Sequence, residues 1–463
     1  MTKYDGKDLF RIYDAPIAGL PSRPSTVLFV LICLIPMLAT ILYGGVDTFA
    51  LGLLALAAAF MFSLWIIDAW KSGDFRFDPS YLQLPIVALI VLGALQLLPL
   101  SDPGLPTGSL NIPASNAITL DPFSTKLFVA RLAAYLIFFS AALTFIDRPS
   151  RAAKLAVSIV AFGSILAFFG ILQRLANPEA IYGLRPTPQA IPFGPFINQH
   201  HFAAFMEMTS GVALGLLLGS GLKRDRKAFL LIAAILMSVA LFFTGSRGGV
   251  ISFAGVIVFA VAGTYLFRGH SGSKRENVDH SAVRNFSVLA GGAASLLLIV
   301  GLVFYLGGGD SMLRGLGFQQ LQTDVSSGRI HYWQVALEIF KAHPIFGAGL
   351  EAFGNAFTRY DTLSGAFRIE QAHNDYLQML ADGGVIAFGC VLVFLIYLLR
   401  DGIRNIAGSR DGIERGVAIG ALAGCFGIAI HSFFDFPLRT PSNALFFLLL
   451  VVLATKRLPS KTA

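Results

Sequence analysis

Residues 228–267 read AFLLIAAILMSVALFFTGSRGGVISFAGVIVFAVAGTYLF, and this stretch decides the fold. Two apolar runs, each long enough to cross a bilayer, are separated only by Thr244-Gly-Ser-Arg-Gly-Gly249. Neither run alternates polar with apolar residues, which excludes a membrane β-barrel. Moving outward, similar runs recur near 26–43, 47–67, 82–100, 127–146, 153–173, 202–221, 227–244, 247–267, 285–306, 384–400, 413–431 and 443–456. The 463 residues are 55% hydrophobic and 13% charged. The expected fold class is all-α: a polytopic membrane protein of about 12 transmembrane helices with a large external helical loop between spans 9 and 10.

Five segments follow from this reading. Residues 1–25 form a cytoplasmic N-terminal arm and 26–306 carry spans 1–9. Residues 307–383 form the helical loop domain, 384–456 carry spans 10–12, and 457–463 form a cytoplasmic tail. A polar arm precedes the first span, which is expected to be a retained anchor rather than a cleavable leader. With the N-terminus inside, most of the 35 Lys and Arg fall on the cytoplasmic side, as the positive-inside rule requires. Both termini then face the cytoplasm. The net charge of +8 is spread over loops that orient helices, so the partner it implies is the bilayer and not nucleic acid. Cys33, Cys390 and Cys425 all fall within spans, which argues against disulfides and against a metal cluster.

Three outer segments are long enough for chemistry: 101–126, 174–201 and the loop domain. In the last, Ser326-Ser-Gly-Arg329 opens a helix that ends at Pro344, with a Ser available as N-cap. Arg329, Trp333, Leu337 and Phe340 recur on one expected face, and a Gly-rich turn, Phe346-Gly-Ala-Gly-Leu350, follows. A second helix is expected from Gln371 to Ala381, stopped by Gly383-Gly384, with His373, Tyr376, Leu377 and Leu380 facing inward.

Several constellations on the outer side invite chemistry. Arg247 stands among small residues that let backbone approach a ligand, and a guanidinium can bind phosphate oxygens in pairs; a tight hairpin with a snorkelling Arg explains it equally well. Arg329 opens the Trp333 helix, where a solvated helix-start Arg is the plainer reading. Gln371-Ala-His373-Asn374-Asp-Tyr376-Leu holds an imidazole that titrates near neutrality and can serve as a general base, or that hydrogen-bonds backbone. His431-Ser-Phe-Phe-Asp435-Phe-Pro437 places a His and an Asp one turn apart, able to form an orienting pair, with Arg439 just beyond. Asn198, His200 and His201 precede span 6 and read best as an interfacial belt. Arg131 and Glu207 each sit about one turn inside a span, where charge must be paired or wet, and their matching depth permits an Arg131–Glu207 pair.

Arg247 in Gly-Ser-Arg-Gly-Gly, Arg329 ahead of Trp333 and His373-Asn-Asp-Tyr-Leu, in that order, resemble the O-antigen ligase and O-antigen polymerase superfamily. Phe193-Gly-Pro-Phe-Ile-Asn-Gln-His-His-Phe-Ala and His431-Ser-Phe-Phe-Asp-Phe-Pro also look like its segments, so the likeness spans about residues 190–440. The resemblance implies a GT-C-like membrane glycosyltransferase of the bacterial inner membrane. Its donor would be an undecaprenyl-pyrophosphate-linked glycan, its acceptor a lipid A–core or glycan hydroxyl, and its active site and loop domain would face the periplasm. Carried over, Arg247 and Arg329 would hold the pyrophosphate and His373 would activate the acceptor or support the leaving group. Arg131, Glu207, Asn198, His201, Asn374, Tyr376, His431 and Asp435 complete the candidate substrate-binding set. No cofactor is expected. The resemblance implies a metal-independent enzyme, which the absence of any Asp-x-Asp or Glu-x-Asp pair fits: preorganised guanidinium groups can neutralise a diphosphate leaving group, and in-line displacement would invert the anomeric centre. Ligase, exopolysaccharide polymerase and protein O-oligosaccharyltransferase share this donor chemistry and stay open. The rival from another class is a lipid-linked sugar transporter, which would place polar residues at the midplane and show repeats.

Overall fold

The computed structural model describes residues 22–458 apart from 101–115, 178, 189, 220, 268–327, 363–368 and 410. Helices α1 (Arg23–Ile41), α2 (Thr48–Ser72), α3 (Leu84–Gln96), α4 (Pro122–Phe145) and α5 (Pro149–Ala176) run up and down in chain order. A short hairpin, β1 (Ala180–Ile181) and β2 (Arg185–Pro186), precedes α6 (Gln199–Leu218), α7 (Arg224–Phe243) and α8 (Arg247–Leu266). The loop domain contributes α9 (Arg329–Ala342) and α10 (Phe353–Tyr360). Helices α11 (Asp375–Gly408), α12 (Gly412–His431) and α13 (Pro441–Thr455) complete the bundle.

Among the described residues, nine helices are long and apolar enough to cross a membrane, which makes this a multi-pass membrane protein. The expected third and twelfth spans are helical but shorter, and the expected ninth span, 285–306, lies outside the described residues along with 307–327.

Helix α6 is buried on every side from His201 to Met208, and α13 likewise, so these two form the centre of the bundle rather than a lipid face. α6 lies on α12 with almost no side chain between them. A Cβ added at Gly215 would stand 2.3 Å from the Gly416 carbonyl oxygen, and one at Gly420 2.5 Å from that of Gly211. Without water to drive apolar association, such close backbone approach is how membrane helices gain dispersion contact.

The loop domain closes on the bundle through its Gly-rich turn. Val335, Ile339, Phe353 and Phe357 form its small core. Gln96, at the end of α3, donates to the carbonyls of Phe346 (2.5 Å) and Asp382 (3.0 Å) and accepts from the Leu350 amide at 2.9 Å. Three details differ from expectation. The buried face of α9 is Val335, Ala336 and Ile339, while Leu337 is 41% exposed, so the face shifts away from the Arg329–Leu337 row. Gly328, at φ 81°, rather than a serine caps the helix. The second helix begins at Asp375, not Gln371, though it stops at Gly383-Gly384 as expected. The chain breaks at Gly384 (φ 61°, ψ −160°), where the Ile345 carbonyl presses within 2.3 Å of any added Cβ, and helix resumes to Gly408.

Replacing Gly215 with Val should cost at least about 1–3 kcal/mol, because the α6–α12 backbones cannot separate cheaply. Gly52→Ala, at a helical position with nothing within 4 Å, should leave stability the same or slightly higher. Thermal unfolding in detergent reads both, and equal Tm values for the two variants would contradict this account of the packing.

Candidate active site

Three helix N-termini meet at one end of the bundle, each closed by a side chain. Asn198 accepts the His200 amide at 2.8 Å, Ser246 accepts the Gly249 amide at 3.1 Å, and Asn374 accepts the amides of Tyr376 and Leu377, both at 3.0 Å. The remaining first-turn N–H groups and the aligned peptide dipoles make such ends positive, suited to anions. Asn198 and Asn374, expected to bind substrate, therefore spend their side-chain oxygens as caps. Gly248 and Gly249 allow the junction: a Cβ at Gly248 would meet Phe434 at 2.8 Å, and one at Gly249 would meet Ala203 at 2.9 Å.

His200 Nδ1 lies 2.9 Å from Ser246 Oγ, so the α6 and α8 N-termini are bonded together. Arg247 is the first residue of α8, beside that serine, and is half-buried. Arg329 is the first residue of α9 and acts electrostatically on His200, as do His373, His431 and Asp435. Arg329 and His373 thus share one neighbourhood with His200, and the Arg247 backbone adjoins it through Ser246.

His373 stands just before the α11 cap, in left-handed backbone at φ 51°, not on the helix face expected for it. Its ring lies between Tyr332 (6.2 Å between centroids) and Phe436 (4.9 Å). Its Nδ1 is 3.0 Å from Asp435 Oδ1; the imidazole is 29% exposed and the carboxylate 2%. Burial alone would raise the Asp435 pKa. The hydrogen bond with His373 and the charges of His200 and His201 outweigh it, holding the carboxyl well below the usual range. An ionised carboxylate on Nδ1–H leaves Nε2 with its lone pair, the tautomer a general base needs.

The expected pairings change partners. Asp435 orients His373, whereas His431 bonds Glu207 at 2.7 Å, with both side chains almost fully buried. The Arg131–Glu207 pair does not form either. Arg131 reaches Glu351 at 3.0 Å, and Glu351 also pairs with Arg439, which bonds Asp382 at 2.9 Å. Burial would raise the Glu351 pKa, but Arg439 and Arg131 hold it lower. Both guanidinium groups lie over the Phe128 ring. His201 bonds the Thr440 hydroxyl at 2.7 Å, and Tyr376 donates to the Ala429 carbonyl at 2.7 Å, so both fasten helices together. Glu351 and Asp382 carry no motif in the sequence, and Ser246 and Arg439 stand there only as neighbours of the Arg247 and His431 motifs. Glu351 directly follows the Gly-rich turn, which is the one local mark it carried.

Residues 232–392 match the O-antigen ligase family. That stretch holds Arg247, Arg329 and His373 and supports the O-antigen ligase and polymerase superfamily that the motifs resemble, a family of glycosyltransferase-like membrane enzymes. No curated protein matches the chain.

Glu207 and His431 form a buried pair within the bundle, so His431→Ala should destabilise by about 3–5 kcal/mol by stranding a carboxylate. Adding Glu207→Ala should recover part of the loss. The double cycle in thermal unfolding tests this, and strict additivity would show that the two do not interact.

Proposed function

For a membrane protein with an O-antigen ligase domain, we propose a transferase that moves a polysaccharide from undecaprenyl pyrophosphate to an acceptor hydroxyl at the periplasmic face of the inner membrane. The acceptor we favour is lipid A–core sugar. The observation that carries this reading is the His373–Asp435 pair beside Arg247, Arg329 and three helix N-termini. A diphosphate leaving group must have its charge neutralised as it departs, and preorganised cations and N–H groups do that. Arg247 and Arg329 bind the diphosphate. His373 Nε2 takes the proton of the acceptor hydroxyl as its oxygen attacks the anomeric carbon. The bond from that carbon to the phosphate oxygen breaks in line, which inverts the centre and releases undecaprenyl pyrophosphate. Asp435 keeps the imidazole in the required tautomer and stabilises it once protonated. The positive charge of the reaction comes from side chains and peptide dipoles, so the proposed chemistry uses no metal.

The up-and-down order of the helices puts the basic clusters Lys223–Lys227 and Arg400–Arg404 at the end opposite the candidate site. By the positive-inside rule this supports cytoplasmic termini and a periplasmic site. A polymerase that extends a lipid-linked repeat, or a protein O-oligosaccharyltransferase, would use the same donor groups. A transporter is disfavoured because the candidate groups His373, Asp435, Arg247 and Arg329 gather at one end of the bundle instead of its middle.

Asp435→Asn should lower kcat by roughly two to four orders of magnitude with little change in donor KM. Arg247→Ala in cells should let unreacted lipid-linked glycan build up on the periplasmic side; accumulation on the cytoplasmic side would identify a flippase instead. In a purified assay, EDTA should leave transfer intact, and strict dependence on a divalent cation would overturn this mechanism.

A further inference from the structure

Between α3, α4, α11, α12 and α13 lies a partly open cavity of about 220 Å³ to which the mechanism above gives no role. Its walls are mostly hydrocarbon, from Leu89, Phe128, Leu132, Met379, Phe394 and Phe447. Arg131, Tyr135, Asp375 and Arg439 also line it. No residue of α6, α8 or α9 is among the lining residues, so Arg247, His200 and Arg329 stand outside it. It is nevertheless close to the candidate base. Asp375 and Ser432 both line it and are bonded to each other at 3.0 Å, and they lie two and three residues from His373 and Asp435. The seam between α11 and α12 therefore carries the His373–Asp435 pair and borders this second compartment.

Two observations say what the compartment takes. Tyr135 is only 7% exposed, lines the cavity and has a buried hydroxyl with no hydrogen-bond partner. A buried donor without a partner is costly, and an incoming acceptor oxygen would satisfy it. The charge balance then narrows the choice. Arg131 and Arg439 are already bonded to Glu351 and Asp382, and Asp375 adds a third carboxyl to the same region. With no surplus of positive charge, a diphosphate would meet carboxyl groups there, whereas a neutral ester or amide would not. The occupant is then a hydrocarbon chain with a neutral linkage, which describes an acyl chain and not a polyprenyl diphosphate.

We propose that this cavity seats an acyl chain of the acceptor glycolipid, with the Tyr135 hydroxyl donating to its ester or amide carbonyl. The inference rests on the reading of a lipid-anchored acceptor given above. It places the two lipids on separate sets of helices, the donor diphosphate at α8 and α9 and the acceptor chain at α3, α4 and α11.

The test uses full-length protein in phosphatidylcholine nanodiscs and three photoactivatable probes, each with a diazirine in its hydrocarbon chain: an acylated lipid A disaccharide, a polyprenyl diphosphate and phosphatidylethanolamine. The lipid A probe should label peptides holding Leu132–Tyr135 and Met379–Phe394, with excess unlabelled lipid A disaccharide competing. Ala429→Phe, which fills the cavity, should cut that labelling about tenfold or more. Tyr135→Phe, which keeps the ring and removes only the hydroxyl, should cut it about three- to tenfold and guards against misfolding of the first variant. Labelling by polyprenyl diphosphate should be unchanged in both. The proposal is overturned if polyprenyl diphosphate labels these peptides more strongly, if phosphatidylethanolamine labels them and lipid A does not displace it, or if neither variant changes the labelling. Photolabelling needs no turnover, so a protein that labels as expected but transfers nothing refutes the reaction and not the site. One that transfers glycan to lipid A but is never labelled near Tyr135 refutes the site and not the reaction.

Discussion

The α6–α12 contact, made backbone to backbone through glycines on both helices, governs the geometry of the site end. It leaves no room for side chains from Gly211 to Gly219, so the polar groups of the two helices can meet only beyond that stripe. Glu207 and His431, the last residue of α12, meet there at 2.7 Å. The tight turn that follows, with Asp435 N–H bonded to the His431 carbonyl at 3.0 Å, delivers the Asp435 carboxylate to His373. Backbone proximity in the bundle is thereby converted into the placement of one carboxylate at its end.

Low dielectric explains much of the remaining arrangement. A charge held away from water is costly unless a partner lies close. Arg131, Glu351, Arg439 and Asp382 answer that requirement as a chain of alternating signs joining α4, the Gly-rich turn, α11 and the segment before α13. The same chain locks the loop domain onto the bundle, a job shared with Gln96, whose side chain serves the Phe346, Asp382 and Leu350 backbones at once.

Elements of the fold were legible where physics acts locally. A bilayer demands long apolar helices, and eleven of the expected spans coincide with helices among the described residues. Cap positions are legible too: Asn374, with Asp375 behind it, is a good N-cap that places His373 ahead of the helix. The partners of the charged residues were not legible. Glu351 lies 220 residues from Arg131 in the chain, and Glu207 lies 224 from His431, separations that no periodicity encodes. Matching depth in the membrane narrowed the choice of partner for Arg131 but could not select it, because several carboxylates share one end of the bundle.

The backbone of His373 has a consequence of its own. A side chain with a Cβ in left-handed conformation carries an energetic handicap that glycine or asparagine would ease. Sequence drift governed by folding alone would move this position towards those residues. The imidazole at 373 is therefore held against Asp435 at a cost in backbone energy that the surrounding contacts must cover.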